Sequence, residues 1–358
     1  MKICLLAQAD CVHTMKWAKY FAERGYEVSL ISFSEPVWNI KGLRFFKLKR
    51  IFSERLDFIL NLNRTRKLLK EIKPDILHAH YATNYGLLGA LSGFHPYILS
   101  VWGSDVFITP RRSSFHKKLV EFNLSKADVI CSTSGAMAKE TKKYLKTGRE
   151  VVITPFGVNI DQFKPPGVGK NGNDIVVATV KALVKGKGYG TDLLIEIFSM
   201  ACKKHGNLKL VIIGKGEHRK ELKQLAMKLG VAGKIEFLGY IPHERLPEVM
   251  SKIDIYCCLS KTDNESFGVA PLEASACGKP VIVSNVGGLP EVAVNGETGF
   301  VVNVSDKKSI GLALEQLILD ASLRHQMGQL GRHFVESRYN WLENARIMEN
   351  VYEKVLNE

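Results

Sequence analysis

Two glutamates, Glu265 and Glu273, and a lysine-glycine loop at residues 181–190 are the parts of this sequence best suited to chemistry. The acids stand in the stretch LSKTDNESFGVAPLEASACGKPVIVSNVGGLPEVAVNGETG, residues 259–299. There Glu265 is followed by Ser266-Phe267-Gly268, and Glu273 falls in the opening turns of an expected helix that ends at Cys277-Gly278-Lys279-Pro280. A carboxylate has two acceptor oxygens, so a glutamate can take both hydroxyls of a ribose diol. A glycine turn at a helix start lets backbone N–H groups reach a sugar hydroxyl or a phosphate. The same spacing also fits a plainer arrangement, with Glu265 a solvated acid favouring the helix dipole and Glu273 on the surface.

The loop Lys181-Ala182-Leu183-Val184-Lys185-Gly186-Lys187-Gly188-Tyr189-Gly190 follows an expected strand and opens an expected helix. Its glycines allow close backbone approach to an anion, the helix N-terminus adds its dipole, and Lys181, Lys185 and Lys187 supply countercharge. No G-x-x-x-x-G-K-[ST] pattern occurs, so this is not a Walker loop. Lysines on one loop and two carboxylates at later strand ends together suit a nucleotide sugar, with the diphosphate on lysine and the hydroxyls on the acids.

In the first half of the chain, titratable groups fall where strands end. His80 closes the expected strand Ile76–His80, and Trp102-Gly103-Ser104-Asp105 follows the expected strand Tyr97–Val101. Ligands of doubly wound sheets bind beyond the carboxyl ends of strands, which makes His80 and Asp105 candidates for ligand contact. His13, near a helix start, suits an anion or a sugar. Its loop, Ala9–His13, has no glycine and cannot be a G-x-G-x-x-G dinucleotide loop.

These residues need strands and helices to position them, and the hydrophobic pattern supplies both. Strands are expected at Ile3–Ala7, Glu27–Ser32, Ile76–His80, Tyr97–Val101, Asp128–Ser132 and Val151–Thr154. After a Pro- and Gly-rich linker at 164–174 they resume at Ile175–Val180, Lys209–Ile213, Ile235–Leu238, Ile255–Leu259 and Val281–Val283, with helices between. Two consecutive βα series in 358 residues, 46% of them apolar, imply an α/β fold of two Rossmann-like domains.

The net charge of +14 is uneven. Residues 1–150 carry 25 Lys+Arg and 13 Asp+Glu, a balance of +12; residues 151–358 carry 25 and 23, a balance of +2. An anionic partner for the first half is therefore expected. Residues 41–73 mix basic and apolar side chains, in their second part at helical spacing, which fits either a helix on an anionic membrane surface or an ordinary exterior helix. Nucleic acid is not expected, because no interleaved aromatic-basic stacking platform occurs. Seven scattered cysteines, with no C-x-x-C pair and no histidines at zinc spacing, point to reduced thiols in the cytosol. MKICLLAQAD reads as a first strand rather than a secretory signal, and no run of about 18 apolar residues offers a transmembrane helix. The expected place is cytoplasmic, peripheral on the inner face of the membrane where the basic half meets lipid.

The run Glu265-Ser-Phe-Gly-Val-Ala-Pro-Leu-Glu273, continued by Gly287-Gly-Leu-Pro-Glu291 and Gly296-Glu-Thr-Gly-Phe300, resembles the donor-site signature of retaining glycosyltransferase family 4, among the group 1 glycosyl transferases. The likeness extends through Trp102-Gly-Ser-Asp105, Pro155-Phe-Gly-Val-Asn159, Val211-Ile-Ile-Gly214-Lys-Gly216 and Phe237-Leu-Gly239. It implies the GT-B fold: two Rossmann-like domains facing each other across a donor/acceptor cleft. The acceptor-side domain would span 1–160 and the nucleotide-sugar domain 161–339, with the helix at about 340–358 packing back on the first. The implied activity moves a hexose or N-acetylhexosamine from a nucleotide diphosphate sugar to a glycan or lipid-linked acceptor in envelope polysaccharide or glycolipid synthesis.

By the same resemblance Glu265 contacts the transferred sugar, beside Ser266 and the main-chain amides of Phe267, Gly268 and Val269, and Glu273 holds the ribose hydroxyls. Lys187 matches the pyrophosphate lysine, and with Glu265 it is the catalytic candidate. Lys181 stands where the family often has arginine, Lys185 can serve instead, and Gly216 belongs to the donor side. His13, His80, Trp102 and Asp105 are the acceptor-binding candidates; Trp102 replaces the first residue of the family's usual His-Gly-x-Asp, and the glycine pair expected after the first strand is missing. The family works without a divalent metal or other cofactor, and no Asp-x-Asp motif occurs here. Lysine and helix dipoles would then stabilise the departing diphosphate. Retention is usually explained by front-face attack, so no nucleophile is assigned. The alternatives are a same-fold nucleotide-sugar epimerase or glycan phosphorylase, and a surface-binding relative without catalysis.

Overall fold

A computed structural model describes residues 1–52, 54–146, 148–166, 173–263 and 265–358. Residues 167–172 of the linker expected at 164–174 lie outside the described residues. The chain divides into two compact units: Met1–Phe156 with Glu343–Glu358, and Gly157–Leu342.

Unit 1 begins β1 (Lys2–Leu6), α1 (Val12–Glu23), β2 (Glu27–Ser32), β3 (Arg44–Lys47), α2 (Glu54–Leu60) and α3 (Leu62–Ile72). It continues with β4 (Ile76–His80), α4 (Asn84–Ser92), β5 (Tyr97–Val101), α5 (Ser104–Phe107), α6 (Ser114–Lys126), β6 (Val129–Ser132), α7 (Gly135–Lys142) and β7 (Val152–Ile153). The described strands form one parallel sheet in the order β3-β2-β1-β4-β5-β6-β7. Ile3 of β1 pairs with Val28 on one side and Ile76 on the other. Helices cover both faces, which is why β4 and β5 are buried at every position and read as continuous runs rather than alternating ones. The strand order reverses between β1 and β4, the place where doubly wound folds bind ligands.

The mixed pattern of residues 41–73 conceals three elements. β3 is a short edge strand with no fully buried residue, and α2 is broken from α3 at buried Asn61, whose Nδ2 donates to the carbonyl of Asp57 at 2.8 Å. Neither gives a long periodic signal.

Unit 2 begins β8 (Ile175–Val180), α8 (Thr191–Cys202), β9 (Leu208–Ile213), α9 (Arg219–Lys228), β10 (Ile235–Gly239) and α10 (Leu246–Met250). It continues with β11 (Ile255–Cys258), α11 (Val269–Ala276), β12 (Val281–Ser284), β13 (Gly299–Val302), α12 (Lys307–Leu319) and α13 (Ala321–Arg338). The parallel order is β10-β9-β8-β11-β12-β13, so the reversal lies between β8 and β11. The loop after β8 is the lysine-glycine loop and the loop after β11 carries Glu265, which brings the two to one switch point.

The last helix, α14 (Trp341–Asn357), belongs to unit 1 from Glu343 onward. Buried Glu349 fastens it there, accepting from Tyr20 Oη at 3.1 Å, Arg24 Nε at 2.9 Å and Tyr26 Oη at 2.6 Å. Tyr352 stacks on Phe21 at 4.9 Å. All seven cysteines are free, and no described helix is long and apolar enough to cross a membrane.

Candidate functional site

In unit 2, Lys181 leaves the end of β8 and donates through Nζ to Glu265 Oε2. Ser260, two residues past the end of β11, donates through Oγ to the same oxygen at 2.8 Å. The Tyr189 ring lies 5.5 Å from the Lys181 ammonium. Burial works against both charges, yet each keeps the other. The Lys181 ammonium and the Ser260 hydroxyl hold Glu265 below the ordinary carboxylate range, and Lys181 is held above the ordinary ammonium by Cys258 and Glu265. The solvated-acid arrangement is thereby excluded: the Glu265 and Glu273 side chains are 17% and 4% exposed.

Glycines make this compactness possible. Gly288 N–H donates to the Glu265 carbonyl at 2.9 Å, and a Cβ on Gly287 would lie 2.0 Å from that oxygen. Gly268, at φ 111°, a left-handed backbone suited to glycine, precedes α11, and the Phe267 side chain is buried. Gly216, at φ 152°, approaches the Leu183 carbonyl so closely that a Cβ would sit 2.1 Å from it, locking the lysine-glycine loop against the turn after β9.

Glu273, the fifth residue of α11, is held by a partner the sequence did not reveal. His243 Nε2 donates to Glu273 Oε1 at 2.7 Å, and its ring lies 5.3 Å from Phe163. The other loop lysines lie at the surface: Lys185 pairs with Glu221 at 2.7 Å, and exposed Lys187 offers its carbonyl to Thr262 Oγ1 at 3.3 Å. A 230 Å³ cavity opens beside this loop, lined by Gly186, Gly188, Tyr189, Thr191, His218 and Lys261. Among the described residues, no group of three or more His, Cys, Asp or Glu is arranged to hold a metal ion.

In unit 1 the switch point gathers rings. His80 and Trp102, from the ends of β4 and β5, lie 4.2 Å apart, and His13 at the start of α1 stacks on Phe156 at 4.2 Å. Trp102 meets Phe156 edge-on at 5.3 Å. His80 Nδ1 hydrogen-bonds Thr14 Oγ1 at 3.3 Å, while its buried Nε2 has no hydrogen-bond partner among the described residues. His78, on the same face of β4, contacts Tyr352 Oη at 2.6 Å through Nδ1 and Ser100 Oγ at 2.8 Å through Nε2. Burial drives both imidazoles to the neutral form, His78 to about 3 and His80 well below its ordinary value. Tyr81, next to His80, adopts φ 80°, a left-handed backbone rare outside glycine, and its hydroxyl bonds Ser104 Oγ at 2.7 Å.

The structure brings His13, His80 and Trp102 together but gives Asp105 a different place. Asp105 is fully buried, and its carboxylate accepts from the N–H groups of Gly103 at 2.7 Å, Ala82 at 2.8 Å and Trp102 at 3.3 Å. Burial pushes its carboxyl up and these donors pull it back. Asp105 thus anchors the turn that presents Trp102 rather than offering a carboxylate to a ligand, a correction to its expected role. His243, Thr14 and Tyr81 were missed, while Ser260, Tyr189 and Phe156 stood inside the motifs read from the sequence without being given a role. Of the missed three, only Tyr81 carried a signal, its position at a strand end.

A family model described as "Glycosyl transferases group 1" matches residues 161–334, and one described as "Glycosyl transferase 4-like" matches residues 2–134. The chain is similar to the GDP-mannose-dependent alpha-(1-6)-phosphatidylinositol monomannoside mannosyltransferase of Mycolicibacterium smegmatis, 33% identical over 209 residues, 54% of each chain. The match therefore spans about half the length of that relative. Similarity to N-acetyl-alpha-D-glucosaminyl L-malate synthase of Bacillus anthracis is 24% over 365 residues, covering 95% of this chain and 92% of the other. Among solved structures, sucrose-phosphate synthase from Thermosynechococcus elongatus superposes with a TM-score of 0.86 at 19% identity, over 100% of this chain and 99% of that one.

Proposed function

The chain belongs to the group 1 glycosyltransferases, of GT-B fold, and from that premise we propose that it transfers a hexose or N-acetylhexosamine from a nucleotide diphosphate sugar to a glycan or lipid-linked acceptor, with retention and without a divalent metal. One arrangement carries the reading. At the β8/β11 switch point buried Glu273 and part-buried Glu265 are held separately, and among the described residues the side-chain partners of Glu265 meet Oε2 while that of Glu273 meets Oε1. The second oxygen of each can accept a ligand hydroxyl, Glu265 from the transferred sugar and Glu273 from the ribose. The amides at the start of α11 and the lysine-glycine loop, Lys187 foremost, face the diphosphate charge.

The relatives' names set the range of sugars: one is a mannosyltransferase dependent on GDP-mannose, the other an N-acetylglucosaminyl L-malate synthase. The first acts, by its name, on a phosphatidylinositol mannoside, which favours a lipid-linked acceptor and a place at the inner membrane face, in envelope glycolipid or polysaccharide synthesis. In the step itself, the acceptor hydroxyl oxygen bonds the anomeric carbon as the bond from that carbon to the diphosphate oxygen breaks. The bonding pair leaves with the diphosphate, which takes the hydroxyl proton on the same face.

Calorimetry with UDP- and GDP-sugars in the presence of a chelator tests the donor half. We expect binding by the wild type and a rise in Kd of about 10- to 100-fold in Glu273→Ala, the loss of a charge-assisted hydrogen bond. Unchanged affinity in the variant would remove Glu273 from the donor site.

A further inference from the structure

Glu273 is buried more deeply than Glu265 or Lys181, with its side chain 4% exposed and its neighbours Leu272, Ala274 and Ser275 on α11 buried as well. A carboxylate at that depth keeps its charge only where donors meet it. His243 is such a donor. The turn after β10 carries it to the carboxyl edge of the parallel sheet, the edge from which α11 also starts, and its Nε2 donates to Glu273 Oε1 at 2.7 Å. An ionised carboxylate can only accept, so the proton of this bond lies on Nε2.

The imidazole is itself braced. Its ring lies 5.3 Å from that of Phe163, which is fully buried. Arg332, on α13, donates through Nη1 to the Phe163 carbonyl at 2.6 Å and to the carbonyl of Ala276, the last residue of α11, at 2.9 Å. Phe163 thus meets α11 by two routes, through Arg332 to Ala276 and through His243 to Glu273, and all of these residues belong to unit 2. His243 cannot shift against Glu273 without leaving Phe163.

This bracing bears on recognition. The last torsion of a glutamate is broad, so an unheld carboxylate turns about it. The bond from His243 stops that turning, and it leaves one lone pair on Oε1 and both on Oε2. Two neighbouring hydroxyls are best met by a carboxylate whose plane is already set, because order present before binding is not paid for again on binding.

We infer that His243 is a positioning residue for the nucleotide: it sets the plane of the Glu273 carboxylate, and through it the site discriminates ribonucleotides from nucleotides that lack the ribose hydroxyls. The inference rests on the donor reading, in which Glu273 meets the ribose.

The test is calorimetry of the full chain with UDP, with GDP and with the dideoxy analogue of each, which lacks both ribose hydroxyls. Wild type should bind its preferred ribonucleotide about 100-fold more tightly than the analogue, since a site built to pair hydroxyls is penalised when they are missing. His243→Phe keeps a ring against Phe163 and removes the N–H. It should weaken the ribonucleotide about tenfold, leave the analogue within about twofold, and so lower the ratio to about ten. His243→Gln, whose amide donates in place of Nε2, should keep the ratio within about threefold of wild type. Each ratio is taken within one protein, so a partly unfolded sample cancels from it. An unchanged ratio in His243→Phe, or a ratio in His243→Gln as low as in His243→Phe, would overturn the positioning role and leave the donor reading standing. A wild type that binds neither ribonucleotide, or binds ribonucleotide and analogue equally, would overturn the donor reading and this inference with it.

Discussion

At the switch point of unit 2 the strand ends hold opposite charges in contact, Lys181 with Glu265; at that of unit 1 they hold neutral rings, His80 against Trp102 and His13 against Phe156. Both places are buried, and burial penalises charge in both. Unit 2 answers by pairing each charge, so its groups stay ionised and can exchange partners with a charged ligand. Unit 1 answers by leaving its imidazoles uncharged and giving the buried carboxylate of Asp105 to backbone N–H groups. A diphosphate donor suits the first environment; hydroxyl groups and apolar ring faces suit the second.

The largest effect that could break this contrast is Lys181→Met. It leaves Glu265 buried and uncompensated, and unit 2 should lose roughly 3–5 kcal/mol. Hydrogen exchange read by mass spectrometry should show weaker protection of β8 and β11 with unit 1 unchanged, and adding Glu265→Gln should restore most of the loss. A single variant as stable as the double one would mean that no charge pair holds the site. Next, Ser260→Ala removes the hydroxyl that shares Glu265 Oε2 and should cost about 2 kcal/mol in the urea unfolding of unit 2, as expected for a bond to a charged acceptor. A cost near zero would mean Lys181 alone suffices.

The smallest effect, per unit of pH, sharpens the contrast most. His78 and His80 are neutral in the fold at pH values where the unfolded chain, with an ordinary imidazole value of 6.5, takes up protons. Their contribution is complete above about pH 6.5 and is lost as pH falls below it, for His78 toward about 3, by at most about 1.4 kcal/mol per histidine per pH unit. Glu265 is depressed from an ordinary 4.5, so its contribution is complete above that value and is lost only as pH falls through the lower one. Between pH 6.5 and 4.5, hydrogen exchange should therefore show unit 1 weakening ahead of unit 2, and His78→Gln should flatten the dependence. Equal weakening of both units would put the titrating groups elsewhere.

Much of this molecule was legible before any coordinate. The two βα series, the loops at strand ends, the acids 265 and 273 and the lysine-glycine loop are local patterns, and local burial writes them into hydrophobic periodicity and turn residues. The uneven charge was also plain. Short elements at a sheet edge were not: β3 and α2 lack the length for a periodic signal, and the sequence left residues 41–73 open between a membrane-surface helix and an ordinary exterior one, so only packing shows that five apolar side chains of 51–60 face water while Asp57, Phe58 and Asn61 face inward.

The sequence by itself determined which residues carry ionisable groups and which segments form the long buried strands, since both depend on near neighbours, but not the short edge strands β3 and β13. Only the tertiary structure decided who meets whom. Strand order sets β8 beside β11 and so joins Lys181 to Glu265 across 84 positions; the turn after β10 brings His243 to Glu273 across 30; and the depth of Asp105 binds it to backbone N–H groups instead of a ligand. The reason is physical: a carboxylate or an ammonium carries the same character wherever it stands, but whether it is paired, neutral or consumed by the backbone depends on what long-range packing places within about 3 Å of it.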